Sequence, residues 1–176
     1  MGRNYGQAFE NLLDYTNRIY QRKGIALINK RPTPVKVFRT RGNRVLSGVY
    51  DQKSTVDYDG FYKYRGLAFE AKSTKLPRLP LDQVADHQVK YLDNAEKNGA
   101  ISFLIIDLRQ LDEVYVLPNE MLQEYVKNAQ KGGRKSIPMD DIQERGIKVT
   151  SGNGIPLDYL KAVDQLAGGE AHAANS

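Results

Sequence analysis

Cysteine is absent from this chain of 176 residues, and histidine occurs only at His87 and His172. The lack of cysteine excludes disulfides, zinc–thiolate sites and thiol nucleophiles, and two histidines offer little basis for a histidine-rich metal site. No apolar run approaches the roughly 20 residues that a membrane-spanning helix needs, and the first residues lack the apolar core of a signal peptide. We therefore expect a cytoplasmic protein with no membrane segment.

Positive charge is plentiful, and it is concentrated in one segment. The formal net charge at pH 7 is +5. Between residues 30 and 53, seven basic side chains stand against Asp51 alone, and these seven are Lys30, Arg31, Lys36, Arg39, Arg41, Arg44 and Lys53. This concentration is typical of a surface that binds a polyanion, although a solvated basic loop has the same composition.

The spacing of apolar residues predicts an α/β domain. Apolar side chains recur every three or four positions between residues 7 and 22, as in an amphipathic helix. Further helices are predicted at 82–98, 120–129 and 156–166, and strands at 25–29, 57–62, 67–72, 101–106 and 114–117. This order predicts one domain over residues 1–166, with a mixed central sheet flanked by helices. Loops are predicted at 76–80 and 132–138, and a mobile tail at 167–176.

A β-hairpin is predicted after the first strand, at about residues 35–53. Residues 35–38 alternate in polarity, residues 41–44 suit a turn because they contain Gly42 and Asn43, and a second arm returns to Tyr50. Both arms are basic or polar on one face, so we expect the hairpin to project from the domain. Tyr50, at its base, is expected either to pack or to stack on a nucleic-acid base.

Two registers are open to the strands at 57–62 and 67–72. Asp59 and Gly60 form a strong hairpin signal, and a turn there would place Asp57 far from Glu70. A turn at Lys63 and Tyr64 would instead pair Asp57 with Glu70, and Gly60 would then be a bulge or a point of close approach within the strand. We choose the second register because metal chemistry needs it, since the turn residues themselves do not demand it.

In that register four polar side chains converge. Residues two apart on a strand share a face, so Thr55 lies with Asp57 and Glu70 lies with Lys72. Hard oxygen donors suit Mg²⁺ or Mn²⁺, which can activate water against a phosphodiester, while a lysine stabilises charge developing on phosphorus. The alternative is an ordinary Glu–Lys ion pair on a sheet. Gln88 is either an ordinary helix residue or a neutral ligand.

Glu10 lies beside the apolar stripe of the first predicted helix. It is either a carboxylate at the rim of the core or a further acidic group near the metal.

Together these residues resemble the PD-(D/E)xK nuclease superfamily and, more narrowly, the RecU-type Holliday junction resolvases of Gram-positive bacteria and their phages. The resemblance rests on the pattern Asp57…Glu70-Ala71-Lys72 and on the stretches at 30–35, 54–60, 69–74, 87–88 and 132–138. It covers residues 6 to about 166. It implies a nuclease-like mixed sheet flanked by helices, with the basic hairpin as a projecting stalk. The stalk is shorter than in the family, so its residues cannot be matched singly.

The resemblance implies a homodimeric, Mg²⁺-dependent endodeoxyribonuclease that cuts four-way DNA junctions by paired nicks. From the chemistry of the residues we expect 5′-phosphate ends, with Mn²⁺ as an alternative to Mg²⁺. Asp57 and Glu70 match the metal carboxylates, and Lys72 matches the transition-state lysine. Thr55 and Gln88 match accompanying metal positions, and Glu10 matches the acidic residue of the first helix. The expected DNA-binding residues are Lys30, Arg31, Lys36, Arg39, Arg41, Arg44, Tyr50, Lys53, Arg134 and Lys135.

Three other functions fit the same residues. The protein could cut other branched or linear DNA, it could bind junctions without cutting them, or its hairpin could bind a protein or RNA. Cleavage of a four-way junction compared with linear DNA, each with and without Mg²⁺, distinguishes the first two, and competition by junction DNA at raised salt tests the third.

Overall fold

The structure is a computed structural model that describes residues 5–50 and 55–173, with side chains through residue 168. This part of the chain contains five α-helices and ten strands. The helices are α1 (Tyr5–Arg22), α2 (Asp86–Lys97), α3 (Asn119–Gln130), α4 (Met139–Arg145) and α5 (Tyr159–Ala173). The strands are β1 (Ala26–Lys30), β2 (Val35–Arg41), β3 (Arg44–Tyr50), β4 (Tyr58–Tyr62), β5 (Arg65–Thr74), β6 (Arg78–Pro80), β7 (Ile101–Leu108), β8 (Glu113–Pro118), β9 (Ser136–Pro138) and β10 (Ile147–Lys148).

Six of these strands form one mixed sheet in the order β1-β4-β5-β7-β8-β10. Strands β5 and β7 are parallel, and the other neighbours in the sheet are antiparallel. Helices α1 and α5 cover one face, and α2, α3 and α4 cover the other. The predicted mixed sheet flanked by helices is therefore confirmed. No helix within residues 5–50 and 55–173 has the length and apolar character to cross a membrane.

Strand β5 divides its side chains between two cores. Phe69 and Ala71 face α1 and α5, and the ring of Phe69 is stacked between Tyr58, at 4.9 Å, and Phe103, at 4.7 Å. Ala68 faces the opposite core, against α2 and α3. Because alternate residues of a strand share a face, Glu70 lies with Ala68 on the side of α2.

The turn between β4 and β5 lies at Lys63 and Tyr64, so Tyr58 pairs with Phe69. This is the register that places Asp57 beside Glu70, and the prediction is confirmed. Both turn residues have positive φ, +47° and +65°, which matches the twist that a two-residue hairpin turn needs. Gly60 is a point of close approach, because a Cβ there would lie 2.1 Å from the carbonyl oxygen of Leu27 on β1.

Strands β2 and β3 form the predicted hairpin. Arg41 pairs with Arg44 around a tip in which Gly42 has φ of +58°. Every residue of both strands is exposed, so the hairpin does not contribute to either core. The last predicted hairpin residues, which include Lys53, lie outside the described residues.

Several short elements were not predicted. The two predicted loops contain β6 and β9, which pair with each other and bury Leu79 and Ile137. Helix α4 and strand β10 were also missed, and α2 begins at Asp86, after a 3₁₀ turn at Leu81–Gln83, instead of at residue 82. Strands of two or three residues are too short to produce a periodic signal, and a seven-residue helix spans only two turns.

The C-terminal helix is longer than predicted. Helix α5 extends to Ala173 instead of ending at residue 166, so the predicted tail begins inside a helix. Residues 174–176 lie outside the described part of the chain, and mobility of the tail stays a prediction. The start of the helix and the residue before it are attached to α1 by two buried hydrogen bonds, from Tyr159 to Asn17 at 2.5 Å and from Tyr20 to Asp158 at 2.9 Å.

Candidate active site

Asp57 and Glu70 lie opposite each other where β4 begins. The backbone N–H of Asp57 donates to Glu70 Oε2 at 3.0 Å, and the backbone N–H of Ala71 donates to Asp57 Oδ2 at 3.1 Å. Each carboxylate is therefore held by a main-chain group of the other segment. The register of the sheet therefore contributes directly to the position of both acids.

Lys72 completes the predicted group on β5. Its Nζ donates to Glu70 Oε1 at 2.7 Å, and its side chain is 16% exposed, against 1% for Glu70. Burial raises the pKa of Glu70 to about 7; Lys72 opposes this rise, and the charge of Asp57 adds to it. Removal from water disfavours the ionised acid, and the ion pair with Lys72 does not fully offset this effect on the pKa.

Gln88 joins the same group from α2. Its Nε2 donates to Glu70 Oε1 at 2.5 Å, while its Oε1 accepts a hydrogen bond from the backbone N–H of Ala85 at 2.9 Å. The second contact caps the first turn of α2 in the manner of a capping box. The amide thus connects the helix terminus to Glu70, and a second lone pair remains on its oxygen.

Thr55 contacts Arg31 at the edge of this group. Arg31 Nη2 donates to Thr55 Oγ1 at 3.2 Å, and Arg31 Nη1 lies 2.8 Å from Asp59 Oδ2. The backbone N–H of Arg31 also donates to the carbonyl oxygen of Asp57 at 2.8 Å. Asp59 was not singled out from the sequence, although its spacing of two residues from Asp57 places both on one side of the strand.

Glu10 contacts another cation. Its carboxylate lies 2.8 Å from Lys30 Nζ, which is also 3.3 Å from Asp14 Oδ2. Tyr58 donates to Asp14 Oδ1 at 2.8 Å and ties this cluster to β4. The contacts of Glu10 and Lys30 are thus with each other, and not with the group around Glu70. No sequence signal distinguished Asp14, because it lies on α1 far from β1 in the chain.

The hairpin cations are arranged differently. Lys36, Arg39, Arg41 and Arg44 are exposed, and none forms an ion pair with a carboxylate in the part of the chain that the structure describes. Tyr50 is 78% exposed, so it does not pack in the core. A side chain in this position is open to contact with a ligand, and the predicted stacking on a base stays a prediction.

Arg134 and Lys135 are also exposed. Their backbone leads into β9, and the carbonyl oxygen of Lys135 accepts a hydrogen bond from the backbone N–H of Leu81 at 3.1 Å. This stretch therefore fastens the segment after α3 to the segment before α2. Both side chains point away from the buried cores, and their predicted role in DNA binding stays a prediction.

The donors around Glu70 fit a hard divalent cation. No three carboxylate or imidazole side chains meet at one point within residues 5–50 and 55–173. Gln88 faces Glu70 with its amide nitrogen and Thr55 Oγ1 accepts from Arg31, but the carboxylate oxygens of Asp57 and Glu70 form a pair. Such a set of oxygens is what Mg²⁺ prefers, with water filling the remaining positions. Burial raises the pKa of Glu70 and the charge of Asp57 adds to this rise, whereas a bound cation would favour the ionised carboxylate.

The mixed sheet, with Asp57 just before β4 and with Glu70 and Lys72 on β5, defines a site of the PD-(D/E)xK nuclease type. Comparison with known proteins narrows the class, since the family RecU, described as Recombination protein U, matches residues 4–165. The chain belongs to the RecU family.

Named relatives agree with this assignment. Two curated proteins, each called Holliday junction resolvase RecU, come from Staphylococcus aureus strains JH9 and MRSA252. Each is 37% identical over 167 residues, which is 92% of this chain and 80% of the relative. A solved structure, that of Hjc, a Holliday junction resolvase from the archaeal hyperthermophile Archaeoglobus fulgidus, matches with 17% identity and a TM-score of 0.49, covering 84% of this chain and 93% of that one.

Proposed function

We propose that this protein is a Holliday junction resolvase, a divalent-metal-dependent endodeoxyribonuclease that makes paired nicks in four-way DNA junctions. It acts on DNA in the cytoplasm of a bacterium or of a phage-infected host, in recombination and repair. The products carry 5′-phosphate and 3′-hydroxyl ends. Mg²⁺ is the proposed cofactor, and Mn²⁺ substitutes for it.

One observation carries the proposal: Asp57, Glu70 and Lys72 meet at a strand edge with their side chains held by the sheet. An ordinary surface ion pair does not bury a glutamate to 1% exposure beside a second carboxylate. Burial of a carboxylate costs free energy. A buried carboxylate beside a second acid and a lysine is typical of sites where charge develops during a reaction. The 37% identity to proteins named as junction resolvases supports the choice of substrate.

Each residue of the site has a separate role in the proposed reaction. Asp57 and Glu70 would hold the cation, which would supply charge neutralisation at the phosphoryl group and a lowered pKa for water. Lys72 lies 2.7 Å from Glu70, where its ammonium stabilises negative charge on the pentavalent phosphorus. Gln88 holds Glu70 Oε1 from α2. Water would attack phosphorus in line and lose a proton to solvent; the bond between phosphorus and the 3′ oxygen breaks, and that oxygen takes up a proton to give the 3′-hydroxyl.

A homodimer accounts for paired nicks. Two related strands of a junction must each meet one set of Asp57, Glu70 and Lys72, and a twofold dimer supplies two sets in symmetric positions. The hairpin exposes the apolar side chains of Val37, Phe38, Val45, Leu46 and Val49. A two-stranded hairpin is at best marginally stable in water, so contact with a second copy or with DNA favours its folded form.

Asp57→Asn tests the chemistry. The amide keeps the shape but removes the charge that holds the cation, so we expect junction cleavage to fall by at least about 100-fold. Junction affinity without Mg²⁺ should stay within about twofold. Asp93→Asn, at an exposed ion pair on α2, is the matched control and should cleave normally. An Asp57→Asn protein that cuts at the wild-type rate would show that the site lies elsewhere.

The substrate is tested with a four-way junction and a linear duplex of matching sequence, each with and without Mg²⁺. We expect cleavage of the junction only with Mg²⁺, at symmetric positions. Equal cleavage of the linear duplex would favour a nuclease for other DNA. Binding without cleavage under all conditions would favour a junction-binding protein.

A further inference from the structure

Arg31 differs from the other basic residues of its segment. It lies directly after β1, and it contacts three residues of the segment that carries Asp57. Its backbone N–H donates to the Asp57 carbonyl at 2.8 Å, Nη1 lies 2.8 Å from Asp59 Oδ2, and Nη2 donates to Thr55 Oγ1 at 3.2 Å. One residue therefore contacts positions 55, 57 and 59, on both sides of the catalytic aspartate.

The segment that carries Asp57 depends on such contacts. Regular strand β4 begins only at Tyr58, so residues 55–57 precede its ladder of hydrogen bonds. Asp57 is held by its own N–H to Glu70 and by its carbonyl to Arg31. The guanidinium adds the side-chain contacts on either side. A planar, forked guanidinium can join two acceptors in fixed directions, which a lysine ammonium on a flexible stem does not do.

The charge of Arg31 is already compensated. Asp59 is 2.8 Å away and its side chain is 27% exposed, while that of Arg31 is 41% exposed. The hairpin cations, by contrast, form no such pair among the described residues. A phosphate would have to compete with the Asp59 carboxylate for the same donors. The unpaired hairpin side chains need no such exchange.

We propose that Arg31 is a positioning residue for DNA cleavage, and not a contact to the DNA backbone: its guanidinium joins Thr55 to Asp59 and so sets the position of the Asp57 carboxylate. The inference rests on the proposed nuclease function. It replaces the role in DNA binding that was expected for this residue from its charge.

Arg31→Lys separates the two roles, because it keeps the charge and loses the fork. For a positioning residue we expect kcat for junction cleavage to fall by about 10- to 100-fold, and the Mg²⁺ concentration for half-maximal activity to rise. Junction affinity in metal-free buffer and its salt dependence should be unchanged. A second readout is the increase in melting temperature on adding Mn²⁺, which should be smaller than in the wild type.

Asp59→Asn tests the same contact from the other side and does not alter Arg31. Positioning predicts a lower kcat, as for Arg31→Lys. A DNA-contacting arginine freed from its carboxylate would instead bind junctions more tightly, with kcat unchanged. Arg145→Lys is the matched control, since Arg145 forms an exposed ion pair with Glu124 at 2.7 Å outside the site, and it should cleave normally.

The outcomes are distinct. If Arg31→Lys and Asp59→Asn both keep the wild-type kcat, the inference is wrong. It is equally wrong if Arg31→Ala lowers junction affinity and reduces the salt slope by about one, as loss of one phosphate contact would. Failure of the wild-type protein to cut junctions would instead overturn the proposed function.

Discussion

The proposed catalytic cluster (Asp57, Glu70, Lys72 and Gln88) and the hairpin differ in the burial and pairing of their charged side chains. In the cluster, Glu70 is nearly inaccessible to water and accepts hydrogen bonds from Lys72, Gln88 and the backbone of Asp57. In the hairpin, every residue of both strands is exposed, and the cations pair with no carboxylate of the described residues. In the cluster, the charged side chains are fixed in position by the sheet. In the hairpin, they are open to solvent and to a ligand.

The difference matches the role proposed for each region. Electrostatic interactions are strong where water is excluded, provided that the groups are already oriented. Binding a phosphate array needs exposed cations whose counterions are released, and the gain depends on salt. We therefore expect changes in the cluster to alter rate and stability, and changes in the hairpin to alter affinity.

The largest expected difference between the two regions is in the loss of stability when a glycine of each is replaced by alanine. Gly60→Ala would place Cβ 2.1 Å from the Leu27 carbonyl, within the paired strands that hold Asp57 in place, so the free energy of unfolding should fall by about 4 kcal/mol or more. Gly48→Ala would place Cβ 2.9 Å from the Lys36 carbonyl in the hairpin. Since the hairpin lies outside both cores, unfolding of the domain should change by less than about 0.5 kcal/mol.

Chemical denaturation measures both variants. Equal losses of stability would mean that the hairpin folds as part of the domain core, and the contrast between the two regions would fail.

The hairpin arginines provide the next largest effect. Arg39→Ala, Arg41→Ala and Arg44→Ala together should reduce the salt dependence of junction binding by about three units and weaken binding roughly 500-fold at 0.1 M salt, given about 0.9 units per phosphate contact. The rate at saturating protein should fall far less. The measurement is a binding titration at several salt concentrations without Mg²⁺.

A triple variant on the helices is the control, because it removes the same charge elsewhere. Lys90→Ala, Lys127→Ala and Lys131→Ala alter exposed residues outside the hairpin and should leave most of the salt slope intact. An equal loss in both triples would mean that net charge, and not the hairpin, governs binding.

The smallest effect concerns Glu70 in the metal-free protein. Because its pKa is raised from 4.5 to about 7, the native state retains a proton there that the unfolded chain has lost. The free energy of unfolding should therefore fall as pH rises from about 4.5 to 7. Glu70→Gln removes this decrease and should be more stable at pH 8 by up to about 3 kcal/mol, less the cost of leaving Lys72 without its carboxylate partner.

Denaturation in the presence of a chelator, at pH 5 and pH 8, tests the sign. The exposed Glu144→Gln variant should follow the wild type at both pH values. A Glu70→Gln protein that loses stability with pH as steeply as the wild type would show that burial does not control this carboxyl group.

The proximity of the three residues proposed for catalysis could be predicted because they lie within one short stretch. Asp57, Glu70 and Lys72 are close in sequence, and strand periodicity places Glu70 and Lys72 on one face. Their register was less certain, since Asp59 and Gly60 carry the stronger turn signal. The structure turns instead at Lys63 and Tyr64, where both residues adopt positive φ without glycine.

The roles of individual cations could not be predicted. Lys30 and Arg31 share the composition of the hairpin, yet they pair with Glu10, Asp14 and Asp59. Their partners come from α1 and β4, which only folding brings close to the end of β1. The number of charges in a stretch of sequence does not show which carboxylates lie close enough in the folded protein to form ion pairs with them.

Sequence alone determined the α/β class, the basic hairpin and the three residues of the proposed reaction, because periodicity and local spacing encode which side chains share a strand face. Only the tertiary structure decided the burial of Glu70, the link from Gln88 on α2 and the contacts of Arg31 to residues 55 and 59. These depend on elements far apart in the chain, and their energies arise from packing and exclusion of water, which no local pattern specifies.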